Sequence, residues 1–285
     1  TQSRSSAASD VYKRQVVETQ SLTDLVTADK ADNAKIMALL GQASEAGSTK
    51  SVDFLPKLAI EHNTEDEEGN TLPRGQWKFR DASGQWQHSK EVTFRPFLRR
   101  YMYTVWDNAE QSYGSMSIQG ASFGDEFFDT AGGIRCGKLN KRDLEGLSSD
   151  DPERTLQANI KCAQVVYGMV ETDSIEATPA VWYARGSNFM PVADWIKTLE
   201  KQGKLLFNTR ATLSTLRQKY GGNIYYKSKI DVKDYVEFDP TVDVPILEKF
   251  VESVNSHNAY IESEYKEARG DFADAQIVES MDADD

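Results

Sequence analysis

The chain has 285 residues, 39% of them hydrophobic and 10% aromatic, enough for one elaborated domain or two small ones with a packed core. No apolar run approaches the length that spans a bilayer, and Cys136 and Cys162 are too few for a disulfide framework, which makes a reducing compartment the default. The net charge of −12 argues in sum against a nucleic-acid partner.

The distribution of charge says something different. It runs −5 over residues 1–73, +5 over 74–106, −7 over 107–184, neutral over 185–195, +7 over 196–233 and −12 over 234–285. A chain laid out this way can be acidic in bulk and still present a basic groove.

Ser5 to Gln15 resembles the in-frame translation of a transposase adapter used to build sequencing libraries. Residues 1–15 are therefore set aside as non-native. Residues 16–50 form an N-terminal helical segment, with a helix at 31–46 carrying Ile36, Met37, Leu39 and Leu40 before Gly47. Phe54, Leu55, Leu58 and Ile60 suggest a first strand, placed at an edge or bulge by Pro56. The acidic run Glu65 to Asn70 lacks the ligand spacing of a calcium loop and reads as a solvated turn.

Arg74 to Trp106 holds seven Lys or Arg, eight aromatic residues and two acids, Asp81 and Glu91. Trp77 to Phe79 starts a hairpin turned by Asp81 to Gly84. Its return strand runs from Trp86 towards Trp106, broken near Pro96. Alternation puts Leu98, Met102 and Trp106 on one face with Arg100 between them, and Phe97, Arg99, Tyr101 and Tyr103 on the other. Residues 107–159 read as a long loop with short elements. Cys162 to Val170 and Ala180 to Ala184 read as central strands. Ser187 or Asn188 caps a helix bearing Val192, Trp195, Ile196 and Leu199, which Gly203 ends. Thr209 to Leu216 fits a strand or a helix. After the turn at Gly221-Gly222-Asn223, Tyr225, Lys227 and Lys229 alternate with Tyr226, Ser228 and Ile230 and form an outward face. A C-terminal helix spans 239–270, capped by Asp243 with Pro245 near its first turn. Residues 271–285 hold six acids and no base and read as a disordered tail.

Bases stack on aromatic rings and phosphates pair with cations, so the two basic islands are candidate surfaces for a single strand. The stacking candidates are Trp77, Phe79, Trp86, Tyr101, Tyr103 and Tyr225; parity makes Trp77 and Phe79 the two that fit a core as well. The phosphate candidates are Arg74, Lys78, Arg80, Arg95, Arg99, Lys227 and Lys229. The bland reading of the same residues is an ordinary hairpin, with aromatics inside and cations snorkelling. The chain shows no phosphate-binding glycine loop, nucleophile elbow or paired-histidine metal motif, so no cofactor, metal or turnover is expected. Asp125, Glu126 and Asp129 would be the divalent-ion ligands of a rival reading, a metal-dependent nuclease or other replication enzyme. A second rival is a phage virion or assembly protein, with the aromatics as core.

Several short motifs resemble single-stranded DNA-binding proteins of tailed phages. They are Phe54-Leu-Pro-Lys-Leu58, Gly75-Gln-Trp-Lys-Phe79, Cys136-Gly-Lys138, Lys161-Cys-Ala-Gln-Val-Val-Tyr-Gly168, Gly186-Ser-Asn-Phe-Met-Pro191 and Gly221-Gly-Asn-Ile-Tyr-Tyr226, followed by the closing helix and acid tail. The resemblance implies an OB-type barrel, strand protection in replication and recombination in the cytoplasm of an infected bacterium, and no catalysis. Some members carry a structural zinc; Cys136 and Cys162 are not a full ligand set for one. The expected fold is mainly β (α+β): an elaborated OB-like β-barrel over residues 51–238 with one inserted helix, then the C-terminal helix and tail. Single-stranded DNA is the expected partner, with replication or recombination proteins meeting the tail.

Overall fold

The structure is a computed structural model that describes residues 55–107, 109–110, 112–131 and 145–270. The adapter-like segment, the helix at 31–46, Phe54, Cys136 and the acidic tail lie outside the described residues.

The fold is mainly β, built on one mixed sheet. Its strands are β1 (Lys57–Ile60), β2 (Trp77–Arg80), β3 (Trp86–Ser89), β4 (Val92–Asp107), β5 (Ser112–Met116), β6 (Ile160–Thr172), β7 (Ile175–Arg185), β8 (Thr209–Tyr220) and β9 (Asn223–Tyr235). The helices are α1 (Pro152–Asn159), α2 (Phe189–Lys201) and α3 (Pro240–Arg269). The sheet order is β3-β2-β1-β7-β6-β4-β8-β9, with β5 paired to β4. β1 and β7 run parallel and the other ladders are antiparallel. The expected return strand from Trp86 is thus two strands, β3 and β4, and the ambiguous segment at 209–216 is a strand.

β6 lies at the middle of the sheet and is buried on both faces, as its apolar run requires. On one face Phe94, Val166, Trp182 and Leu213 pack against Val192, Trp195, Ile196 and Leu199 of α2. Each such fully buried aliphatic side chain contributes about 1.5–3 kcal/mol. On the other face Leu98, Val165, Tyr167 and Val181 pack against Leu247, Phe250 and Val254 of α3. Helices therefore sit on opposite faces of one sheet.

The sheet path does not close into a hydrogen-bonded barrel: among the described residues no ladder joins β3 to β9. It does curl. Arg74 Nη2 donates to Ile224 O at 3.2 Å, and Thr215 Oγ1 donates to Gly75 O at 2.5 Å. Gly75 has a φ of +86°, and the Tyr226 ring occupies the place a Cβ would take, so glycine is required there. The curl is helped by register shifts in four ladders, at Pro96/Leu98, Val105/Trp106, Val170/Thr172 and Arg210/Ala211, each of which adds local twist.

The shift at Pro96/Leu98 decides which face each β4 side chain occupies. Pro96 is opposite Gly168 and Leu98 opposite Tyr167, so Phe97 is the extra residue. It turns to the α3 face and meets the Phe250 ring, with centroids 5.8 Å apart. The expected company of Phe97 with Arg99, Tyr101 and Tyr103 is thereby corrected. Gly168 makes the bulge possible, because any side chain there would run into the Phe94 ring and Arg95 O.

The cap of α3 is not the residue the sequence suggests. Asp239 is the cap and accepts from Thr241 N at 2.9 Å, with Pro240 in the first turn. Asp243, the expected cap, is buried and accepts two hydrogen bonds from Arg95.

Candidate nucleic-acid interface

α3 covers only part of its face of the sheet. Ladder register puts Met102, Thr104, Trp106, Met116, Tyr113, Lys161, Ala163, Tyr183 and Arg185 on the same face. Of these, the strand-end residues Trp106, Tyr113, Lys161 and Arg185 are not part of the cluster packed against Leu247, Phe250 and Val254 of α3. They come from β4, β5, β6 and β7, whose ends converge. The register shift at Val105/Trp106 sets Trp106 directly opposite Tyr113, their rings edge to face with centroids 5.1 Å apart.

Two cavities line this uncovered area. The inner one, of about 410 Å³, includes Lys57, Met102, Thr104, Met116, Trp182, Tyr183 and His257. The outer one, of about 550 Å³, includes Trp106, Lys161, Ser187, Tyr225 and Tyr226. His62, Tyr113, Arg185 and Asn188 line both, so the two form one continuous groove. Among the described residues no acid lines either cavity.

Arg185 is the centre of the groove. Its guanidinium carbon lies 4.5 Å from the Tyr113 ring centroid and 5.3 Å from that of Tyr183. Its Nε is buried with no hydrogen-bond partner. Lys57 Nζ lies 5.8 Å from the Tyr183 centroid, and Lys161 Nζ donates to Ala158 O at 3.2 Å. Among the described residues none of these three cations pairs with a carboxylate. Cations held by rings and backbone keep their charge for an external anion.

His62, which lines both cavities, is partly withdrawn from solvent. Its pKa is lowered, chiefly by burial; Glu61 opposes this, and Arg74 and Lys78 add to it. On the opposite wall, Asn188 Oδ1 accepts from Ser228 N at 2.6 Å and ties the turn at Gly186–Asn188 to β9. Asn188 precedes α2 as expected of a cap, but its side chain makes no capping bond, because this tie occupies it.

Most of the residues singled out by sequence lie elsewhere. Trp77 and Phe79 are fully buried in the core against Trp182 and its neighbours. Tyr101 and Tyr103 are 8% and 5% exposed, and they are corrected from a stacking face to a packed one. Segment 117–120 hydrogen-bonds to the edge of β4, with Tyr101 N donating to Gly120 O at 2.8 Å and Ser117 N to Tyr103 O at 2.9 Å. The chain beyond it lays Phe123 across Tyr101, centroids 3.9 Å apart, and sets Phe127 against Tyr103 at 4.8 Å.

Four of the expected phosphate ligands are instead paired with carboxylates. Lys78 Nζ meets Glu61 at 2.9 Å, Arg95 meets Asp243 at 2.7 Å, Arg99 meets Glu200 at 3.9 Å and Lys229 meets Asp231 at 2.6 Å. Burial pushes the Glu61 carboxyl up, but Lys78, the Asn63 N–H and His88 outweigh it and hold it below the ordinary value. Arg99 also stacks over Tyr101 at 4.9 Å. Arg74 is committed to Ile224 O, at the rim where the sheet curls.

The rest stay open. Arg80 lies 4.7 Å from the Trp86 centroid, and Trp86 is 49% exposed on the β2–β3 hairpin. Tyr225 and Lys227 share the outward face of β9, as alternation predicts, and Tyr225 also lines the outer cavity. Of the predicted set, Tyr225 alone contributes directly to the groove.

Sequence reasoning missed Lys57, Trp106, Tyr113, Lys161, Tyr183 and Arg185. The alternation of Leu98, Met102 and Trp106 was the available signal, and it correctly grouped them on one face. Asp125, Glu126 and Asp129 do not converge. Asp125 accepts from Ser122 N at 2.9 Å, Asp129 accepts from Ala131 N at 3.0 Å, and Glu126 is exposed. Among the described residues no three His, Cys, Asp or Glu side chains gather as a metal site, and no helix is long and apolar enough to cross a membrane.

Comparison with protein-family models, with curated proteins and with solved structures finds no match to this chain.

Proposed function

We propose that the chain is a sequence-tolerant single-stranded DNA-binding protein that protects exposed strands during phage replication and recombination, with no turnover of its own. The observation that carries the proposal is Arg185, held between the rings of Tyr113 and Tyr183, with no carboxylate partner and no acid lining its groove among the described residues. Phosphates would take the positions beside Lys57, Lys161 and Arg185. Bases would stack on Trp106, Tyr113 and Tyr225, a mode that tolerates sequence because every base has a π-face. The resemblance to tailed-phage proteins supplies the setting, the cytoplasm of an infected bacterium. An elaborated OB-like barrel is the fold this reading favours, and the contacts between residues 74–75 and the β8–β9 hairpin support it.

Titration of the chain with oligo-dT at low salt tests the proposal. Binding that weakens steeply as salt rises is the expected result, because each neutralised phosphate releases condensed counterions. Absence of binding at low salt would reject it in favour of a virion or assembly role.

A further inference from the structure

We propose that a gap in the sheet beside Arg99 is a docking site for a partner protein, which places there a short extended segment bearing a bulky apolar side chain between acidic residues. This inference goes beyond the strand-binding reading and uses a different part of the molecule.

The gap follows from the ladders of β4. On one side β4 pairs with β6 from Thr93 to Val105. On the other side it pairs with β8 from Val92 to Phe94 and bridges to Gly120 at Tyr101. Among the described residues no strand lies against that side of β4 between those two points. Tyr101 turns both its N–H and its C=O towards Gly120, so alternation turns the backbone of Arg99 the same way, into the gap. The Arg99 C=O accepts from Arg100 Nη1 at 3.0 Å.

A cavity of about 240 Å³ lies at this point. It is lined by Leu98, which packs with the α3 cluster, and by Ile196 and Leu199, which belong to the α2 cluster on the opposite face. Side chains from both faces of a sheet reach one cavity where the strand that would separate them is missing. The bond from Arg95 Nε to Phe207 O and the bridge at Gly120 close the two ends of the gap, so it admits a few residues and not a long strand.

The lining sets what fits. Leu205, Leu206 and Phe207 extend the apolar floor. The volume is below the roughly 300–1,000 Å³ of small-molecule sites and suits an anchoring side chain. Arg99, Arg100 and Lys204 line the cavity against one acid, Glu200. Arg99 meets Glu200 only at 3.9 Å, and Glu200 is 63% exposed, so water screens the pair. Lys204 Nζ stands 4.1 Å from the Tyr235 ring centroid. An apolar floor under a cationic rim complements an apolar residue flanked by carboxylates. The backbone of such a segment would pair with the edge of β4 at Arg99, as peptides do when they add to a sheet.

The test uses the full chain and a fluorescein-labelled peptide, Asp-Asp-Ile-Phe-Asp-Asp, followed by fluorescence anisotropy. Saturable binding is expected. Replacing its Ile and Phe by Ala, or its four Asp by Lys, should weaken binding by about tenfold or more. Ala121→Trp adds bulk at the gap from an exposed position, and Lys204→Glu reverses charge at the rim. Each should weaken peptide binding to a similar degree, with the urea midpoint and oligo-dT affinity unchanged. Oligo-dT should not displace the peptide. Absence of saturable binding, or equal binding of the Lys peptide, would overturn the docking site. Displacement by oligo-dT would overturn it as well and assign the gap to the nucleic-acid strand. A change of molecular mass in solution on Ala121→Trp would overturn it in favour of a second copy of the chain. Peptide affinity undiminished in both folded variants would overturn the assignment to this cavity.

Discussion

Arg95 and Asp243 meet through two parallel hydrogen bonds, Nη1 to Oδ1 and Nη2 to Oδ2, each 2.7 Å long. The pair joins β4 to the first turn of α3. Both side chains are largely withdrawn from solvent, 14% and 1% exposed. Arg95 also donates through Nε to Phe207 O at 3.0 Å, and Asp243 accepts from Asp239 N at 2.9 Å. A cation that reads in sequence as a phosphate ligand is thus a structural clamp. Removing one partner strands the other charge. Arg95→Ala should cost about 3–5 kcal/mol of stability in urea unfolding, with oligo-dT affinity unchanged wherever the variant is folded. A loss of affinity without a loss of stability would return Arg95 to the binding surface.

Tyr103 should behave in the same way. Its ring is buried among Phe127, Phe123 and the β4–β6 ladder. Tyr103→Ala should destabilise the fold by about 3–5 kcal/mol, the range for large aromatic truncations. Binding measured well below the unfolding midpoint should not change.

Trp106 and Arg185 should show the opposite pattern. Trp106→Ala should cost about 1–3 kcal/mol of oligo-dT affinity, the range for one stacked base, and less than that in stability. Arg185→Ala should flatten the dependence of log affinity on log salt by about 0.7, the value for one phosphate contact on a single strand. Titrations at several salt concentrations read both effects.

Acid should weaken the fold through His257. Burial lowers the folded-state pKa of this ring below its ordinary 6.5, so the unfolded chain binds the proton more readily. The stability contributed by the neutral ring is complete above pH 6.5 and is lost as pH falls towards the folded-state value. Urea midpoints should decline between pH 7 and pH 5, and the decline should be shallower in His257→Gln.

The elements were largely legible in the sequence, because strand and helix periods and turn glycines mark them locally. Ile160–Thr172 shows its burial in an apolar run, and Phe189–Lys201 shows its buried stripe at helical spacing. The faces of β4 were legible beyond the bulge, where Leu98, Met102 and Trp106 do share a side. Which face stays open was not legible. That depends on where α3 stops along the sheet and on segment 117–128 folding back over Tyr101 and Tyr103, both long-range events with no local signature. The bulge at Pro96/Leu98, which turns Phe97 away from Arg99, depends on Gly168 some seventy residues later in the chain. The partners of the cations were hidden for the same reason. Arg95 and Asp243 are 148 positions apart, whereas Arg185 is isolated in sequence and distinguished only by the rings that surround it.

The placement of the strand is tested most directly by photo-crosslinking the chain to oligo-dT and mapping the linked residues by mass spectrometry. Cross-links at Trp106, Tyr113, Tyr183 or Tyr225 are predicted, with none at Tyr101 or Tyr103, which lie beneath the 117–128 segment. Cross-links confined to Tyr101 and Tyr103, or to Trp86 on the β2–β3 hairpin, would contradict the account and move the binding surface off the groove around Arg185.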